Sequence, residues 1–285
     1  MKRVIFNADD FGFSEKVNNG IVCTFEKGVV RDSSLIMTMP ATEHAIKQIK
    51  MKKLDAGIHL TLNEGEPLSK EKNNSIIYNG KFLGMTDFIM KIFLKKVKKE
   101  DVREEFEEQI EKFCNEDLKP THLDTHKYIH IFPIIFEVIE ELAHEYKIKA
   151  VRISDEEFSR KLYKLPIEPI LSAFSTQVFK SIFVSKLSSV TKKRLAKYRL
   201  VTTDYFYGIS RINSKHVLES FENIVNNLKE GTAEVMCHPG YYDPKLKRIT
   251  PYVKQREEEL EALTSNKIKN LIKDRKIKLI NFKDL

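Results

Sequence analysis

Apolar positions along the chain follow two periods in turn. Residues 3–8 (Arg-Val-Ile-Phe-Asn-Ala) read as a strand, and from Ser14 the residues Val17, Ile21 and Phe25 recur at four-residue steps, which predicts a helix ending near Gly28. Strand patterns follow at 33–38 and 55–62, separated by a helix carrying Ala45, Ile46 and Ile49. A second amphipathic helix over 101–116 aligns Val102, Phe106, Ile110 and Phe113. Pro120 then stops it, residues 121–126 read as a strand, and another helix starts at Pro133. Further strands are predicted at 150–154, 199–203, 233–238 and 277–282, and a helix over 214–230 presents Val217, Leu218, Phe221, Ile224, Val225 and Leu228 before Gly231.

Eight strands interleaved with helices favour a parallel sheet with helical crossovers, an α/β fold of the (β/α)-barrel kind made irregular by uneven spacing. A doubly wound open sheet is the alternative, but no G-x-G-x-x-G follows the first strand and no P-loop occurs in the chain. There is no internal repeat, linker or low-complexity tract. The expected organisation is one domain over 1–285, with insertions at about 63–85 and 155–198.

Composition excludes several classes. With 285 residues, 41% of them hydrophobic, the chain can bury a full core. No apolar run reaches the ~18 residues a membrane span needs. The start, Met1 to Asp10, turns acidic too early for a signal peptide, so a cytoplasmic location without membrane attachment is expected. Three dispersed cysteines, Cys23, Cys114 and Cys237, suit reduced thiols, leaving His and carboxylate as the candidate metal donors. The net charge of +8 is local: residues 160–199 hold ten Lys/Arg against one acid, Glu168. Without an aromatic-interleaved or helix-turn-helix pattern, that segment reads first as a solvated face.

The chemistry gathers at predicted strand ends, the catalytic face of such folds. Asp9 and Asp10 close the first strand, where one carboxylate can bind a cation while its neighbour takes a proton; alone, the pair reads equally as turn and cap chemistry. In 57–62, period 2 places His59, Thr61 and Asn63 on one face. In 121–130, a helix would put His122 and His126 together, whereas a strand separates them by about 13 Å. Pro120 and the alternation favour the strand and select His126, leaving His122 or Asp124 to orient a metal-bound imidazole from behind. His238 arrives just before Pro239-Gly240; Cys237 beside it points the other way in a strand, which argues against a thiol nucleophile. Together these residues suit a divalent-cation site, with Mg²⁺ and Zn²⁺ hard to separate on ligand type.

Five ordered segments, 7–12, 57–61, 121–126, 130–133 and 237–241, resemble the YdjC-like carbohydrate deacetylases, which include chitooligosaccharide deacetylases. The resemblance implies a distorted barrel related to the NodB-type polysaccharide deacetylases and metal-dependent hydrolysis of an N-acetyl group from an amino sugar or short chitooligosaccharide. By position it implies Asp10, His59 and His126 as metal ligands, Asp9 as general base and His238 as general acid, with Mg²⁺ ahead of Zn²⁺. The expected partner is a small carbohydrate rather than nucleic acid, and a homodimer is compatible. His126-Lys127-Tyr128 departs from the family, many of whose members carry several histidines there. Two rivals stand beside this reading. One is a metal-dependent phosphoesterase, for which Arg152 is the evident phosphate clamp. The other is a non-catalytic anion or nucleic-acid binder using residues 160–199.

Overall fold

The computed structural model describes residues 1–156, 191–192, 194–209 and 216–285. Its first strand, β1 (Lys2–Phe11), lies inside a parallel sheet, which is why its interior residues are buried on both faces. Helix α1 (Glu15–Lys27) follows, with the Ser14 side chain accepting from the Val17 amide at its N-cap. Val17 and Ile21 of α1 are fully buried, each contributing roughly 2–3 kcal/mol of apolar burial. Strand β2 (Asp32–Leu35), helix α2 (Thr42–Lys52) and strand β3 (Gly57–Leu60) repeat the unit.

The predicted insertion at 63–85 leaves the sheet and carries a small hairpin, β4 (Ile77–Tyr78) with β5 (Lys81–Phe82). Helices α3 (Met85–Phe93) and α4 (Lys99–Cys114) come next. On α4, Gln109 bonds both the Thr61 amide (3.1 Å) and the Thr61 carbonyl (2.8 Å), and Glu105 accepts from the Leu68 and Ser69 amides, so one helix face holds the segment leaving β3. Strand β6 (His122–Thr125), helix α5 (Pro133–Glu145) and strand β7 (Ala150–Val151) continue the alternation.

The next strand, β8, is Tyr205–Tyr207, not 199–203 as the apolar pattern suggested; in that earlier stretch only Val201 bridges the sheet, opposite Ala150. Helix α6 (Val217–Asn227), strand β9 (Gly231–Cys237), helices α7 (Lys254–Thr264) and α8 (Asn266–Asp274) and strand β10 (Lys278–Leu279) complete the described chain. The sheet order is β7-β6-β3-β2-β1-β9-β8, parallel throughout, with β10 on β1 beside the lower part of the strand. It curls until, among the described residues, its two edges are joined by single bridges, Ala150 to Val201 and Glu156 to Phe206, a distorted α/β barrel of the expected class. Of the basic segment, 160–190 and 193 lie outside the described residues. Among the rest, Arg194 pairs with the fully buried Glu140 at 2.9 Å, a structural contact rather than a solvated charge.

Candidate metal and catalytic site

The strand ends open into a cleft of about 340 Å³ lined by Asp9, Asp10, His59, His126, His238 and Arg256, among others. Strand alternation alone would turn Asp10 away from Asp9. Asp10 instead adopts φ +66°, and the pairing of β1 with β2 shifts register between Ala8 and Phe11, so both carboxylates reach the cleft. His238 follows β9 on a turn packed close to α1. A Cβ on Gly20 would lie 2.5 Å from Gly240 Cα, so the glycine at position 20 of α1 permits this approach.

Asp10 Oδ1 is buried without a hydrogen bond of acceptable geometry. It faces His126 Nδ1 at 3.1 Å and His59 Nε2 at 3.7 Å. The donors of Asp10, His59 and His126 lie within 4.8 Å of one another, and so do those of Asp9, His59 and Asp124. The second set is already served by a cation of the protein itself. Arg152 grips Asp9 with two bonds of 2.7 Å, pairs with Asp124 and reaches Glu234 at 2.6 Å. The first set therefore fits a metal ion better: one carboxylate oxygen and two imidazoles, a donor set that divalent Mg²⁺ or Zn²⁺ accepts.

Charge explains the titration of the group. Burial pushes the Asp10 carboxyl up, but Arg256, His126 and His238 outweigh it and hold it well below the usual range. Burial alone would lower His59, but the carboxylates of Asp124, Asp9 and Asp10 outweigh it and raise the imidazole to about 8. Asp124 Oδ1 accepts from His59 Nδ1 at 2.7 Å, leaving Nε2 to face Asp10 and Asp9. Burial lowers His126, with Asp10 opposing, which suits a neutral ligand. Burial likewise lowers His238 against the pull of Asp10 and Asp9; its Nδ1 is buried without a hydrogen bond, and Glu259 accepts from its backbone amide at 2.6 Å.

The structure thus brings all five residues, Asp9, Asp10, His59, His126 and His238, to one cleft, with Asp124 behind His59. His122, by contrast, points away from the cleft and lies against Phe282. Two arginines change the sequence picture. Arg152 is 1% exposed and committed to three acids, so it cannot serve as the phosphate clamp that the phosphoesterase reading needs. Its position inside an apolar strand was the available signal, since a buried guanidinium demands carboxylates. Arg256 was not anticipated: it bonds Asp10 Oδ2 and the Tyr252 carbonyl, and it stands on α7 in the polar run Lys-Gln-Arg-Glu-Glu-Glu, which gives no hint of burial. None of the described helices is long and apolar enough to cross a membrane.

The chain has known relatives along its whole length. A carbohydrate deacetylase of Clostridium beijerinckii is 34% identical over 284 residues, covering 99% of this chain and 100% of that protein. A carbohydrate deacetylase of Geobacillus stearothermophilus is 31% identical over 288 residues, covering 98% and 96%. A crystal structure from Enterococcus faecalis V583, described as that of a candidate cellobiose-phosphate cleavage protein, superposes with a TM-score of 0.78 at 26% identity, covering 99% of this chain and 98% of that one. The sequence profile of the YdjC-like proteins matches residues 3–274, and the chain belongs to that family.

Proposed function

We propose that this protein is a metal-dependent carbohydrate deacetylase that hydrolyses the N-acetyl group of an amino sugar or short chitooligosaccharide. The observation that carries the reading is the unsatisfied Asp10 Oδ1 facing two imidazoles beside a second, separately anchored carboxylate. Asp10, His59 and His126 would hold the divalent cation, Mg²⁺ in preference to Zn²⁺. When bound, such an ion supplies positive charge that polarises an acetamide carbonyl and makes a coordinated water more acidic.

The remaining chemistry belongs to the chain. Asp9 takes the proton of the attacking water, and its position is set from behind by Arg152 and by Asn7 Nδ2, which donates to Oδ1 at 2.7 Å. His238, on the β9 side of the same cleft, delivers a proton to the departing amine. Burial lowers the pKa of its imidazole, so it takes the proton it delivers from solvent, drawn by the negative charge gathered in the tetrahedral intermediate, while the water's proton held on Asp9 returns to solvent after the amine leaves. Tyr252 packs edge-on to the His238 ring at 5.5 Å and fixes its plane.

The direct test is acetate release from mono- and di-N-acetyl amino sugars, assayed with and without Mg²⁺ or Zn²⁺. Because the Enterococcus faecalis protein is described in terms of a phosphorylated disaccharide, the panel includes 6-phosphorylated forms. Metal-dependent acetate release supports the proposal; phosphate release without acetate would replace it with the phosphoesterase reading. The whole chain is read as one deacetylase unit acting in the cytoplasm.

A further inference from the structure

We propose that the C-terminal tail, residues 280–285, positions the metal ligand His59 from the opposite end of the barrel, acting through His122, Ser34 and Asp124. The inference rests on the reading of His59 as a ligand. Strand β10 pairs with β1 at Arg3 and Val4, far along the strand from Asp9 and Asp10, and the Ile280 amide donates to the Val4 carbonyl at 3.0 Å. The chain then turns inward. The Phe282 amide donates to Asp32 Oδ2 at 2.9 Å, and the Phe282 ring stacks on His122 with centroids 3.8 Å apart and planes 22° from parallel.

From that stack a continuous set of polar contacts runs to the cleft. Thr121 Oγ1 gives its proton to Asp32 Oδ1 at 2.9 Å, so at 2.8 Å it accepts from His122 Nδ1. His122 Nε2 lies 3.1 Å from Ser34 Oγ, which donates its proton to Asp124 Oδ2 at 2.8 Å. Asp124 Oδ1 holds His59 Nδ1 at 2.7 Å and so leaves Nε2 for the cleft. Phe282, Asp32, His122, Ser34, Asp124 and His59 are all 2% exposed or less. The ring of His122 has room only because residue 57 is glycine: a Cβ there would come within 2.3 Å of Nδ1. Outside the barrel the tail is pinned twice to Asp55, by Asn281 Nδ2 at 2.6 Å and by Lys283.

A rotating His122 would leave Ser34 held by Asn7 alone on that side and let the Asp124 carboxylate turn, and the imidazole it orients would turn with it. Arg152 also holds Asp124, so the expected effect is graded rather than complete. Residues that orient metal-bound imidazoles typically change metal affinity by 10- to 100-fold; with Arg152 as a second anchor we expect about five- to tenfold.

The test compares Phe282→Leu, which keeps bulk but removes the flat face, with His122→Asn, the double variant, and Ile280→Ala as a control. Ile280 packs in the same small cluster as Phe282 but cannot stack on an imidazole. Binding of Mg²⁺ alone and Zn²⁺ alone is measured by equilibrium dialysis, with melting temperature and the ¹⁵N shifts of the His59 ring recorded in parallel. The expected result is weaker binding and altered His59 ring shifts in Phe282→Leu and His122→Asn, no further loss in the double variant, and a control that melts earlier but binds within twofold of wild type. The inference is overturned if Phe282→Leu binds within twofold of wild type with unchanged His59 shifts, or if Ile280→Ala weakens binding as much as Phe282→Leu. A wild-type protein that binds neither ion would sink the metal reading instead, and the His59 shifts would still decide whether the tail positions that ring.

Discussion

Raising the pH from 6.5 to 8.5 should tighten cation binding and destabilise the cation-free protein, both through His59. With its pKa near 8, the imidazole carries a proton on Nε2 over much of this range, and that proton occupies the place a cation would take between Asp10 and Asp9. Competition makes the apparent Kd rise with the protonated fraction, so a group titrating at about 8 weakens binding by about 25-fold between pH 8.5 and 6.5. The stability of the cation-free protein runs the other way. Because the folded value is raised above the ordinary 6.5, the folded state binds more protons; the stabilisation is complete below 6.5 and is lost as pH rises through about 8. It amounts to roughly 2 kcal/mol. Glu234, which burial raises to about 7 against the pull of Arg152, has the same sign but does not face Asp10, and Glu234→Gln removes its contribution. Titration calorimetry in buffers of different ionisation heat should show close to one proton released per Mg²⁺ at pH 6.5 and only about a quarter at pH 8.5. A Kd that moves less than threefold across the range, or a cation-free protein that melts later at pH 8.5 than at 6.5, would refute the competition.

Further variants separate the other roles. Asp9→Asn should cut turnover by about 10²-fold or more with the cation still bound; metal analysis alongside kcat checks this, and joint loss of both would make Asp9 a ligand. Arg152→Met leaves Asp9, Asp124 and Glu234 buried without their shared counter-charge and should cost about 3–5 kcal/mol in urea unfolding, whereas a surface arginine costs little. Arg194→Ser should lower stability by about 1 kcal/mol through the buried Glu140, and Lys192→Ser should not; kcat/KM for a neutral amino sugar should stay within threefold in both.

What the sequence made legible was what is local. Each strand-end motif announces itself within about six residues: Asp9-Asp10 closes an apolar run, His59 alternates with Ile58 and Leu60, and His238 precedes Pro-Gly. The strand reading of 121–126 likewise depended on Pro120 and a short alternation, and β6 has that form. The pattern misplaced β8 because Leu200-Val201 looks as strand-like as Tyr205-Phe206-Tyr207, and only the partners across the barrel decide between them. It also could not show that Asp10 leaves the strand alternation, since a left-handed φ at an aspartate has no signature in residue order.

Charge compensation is the part that residue order conceals. Asp9 finds Arg152 across 143 positions, and Asp10 finds Arg256 across 246. Two arginines against Asp9, Asp10 and Asp124 leave one buried negative charge before Glu234 is counted, and His59 is where the deficit falls. That deficit links the argument for a cation to the argument for a titrating histidine. A site neutralised fully by its own arginines would bind no ion and would leave His59 at an ordinary value. A site lacking them would gather three or four carboxylates that no single divalent ion could hold buried. The two guanidinium groups bring the charge to within one proton, or one open coordination position, of balance, so a cation can displace that proton without the fold having to change.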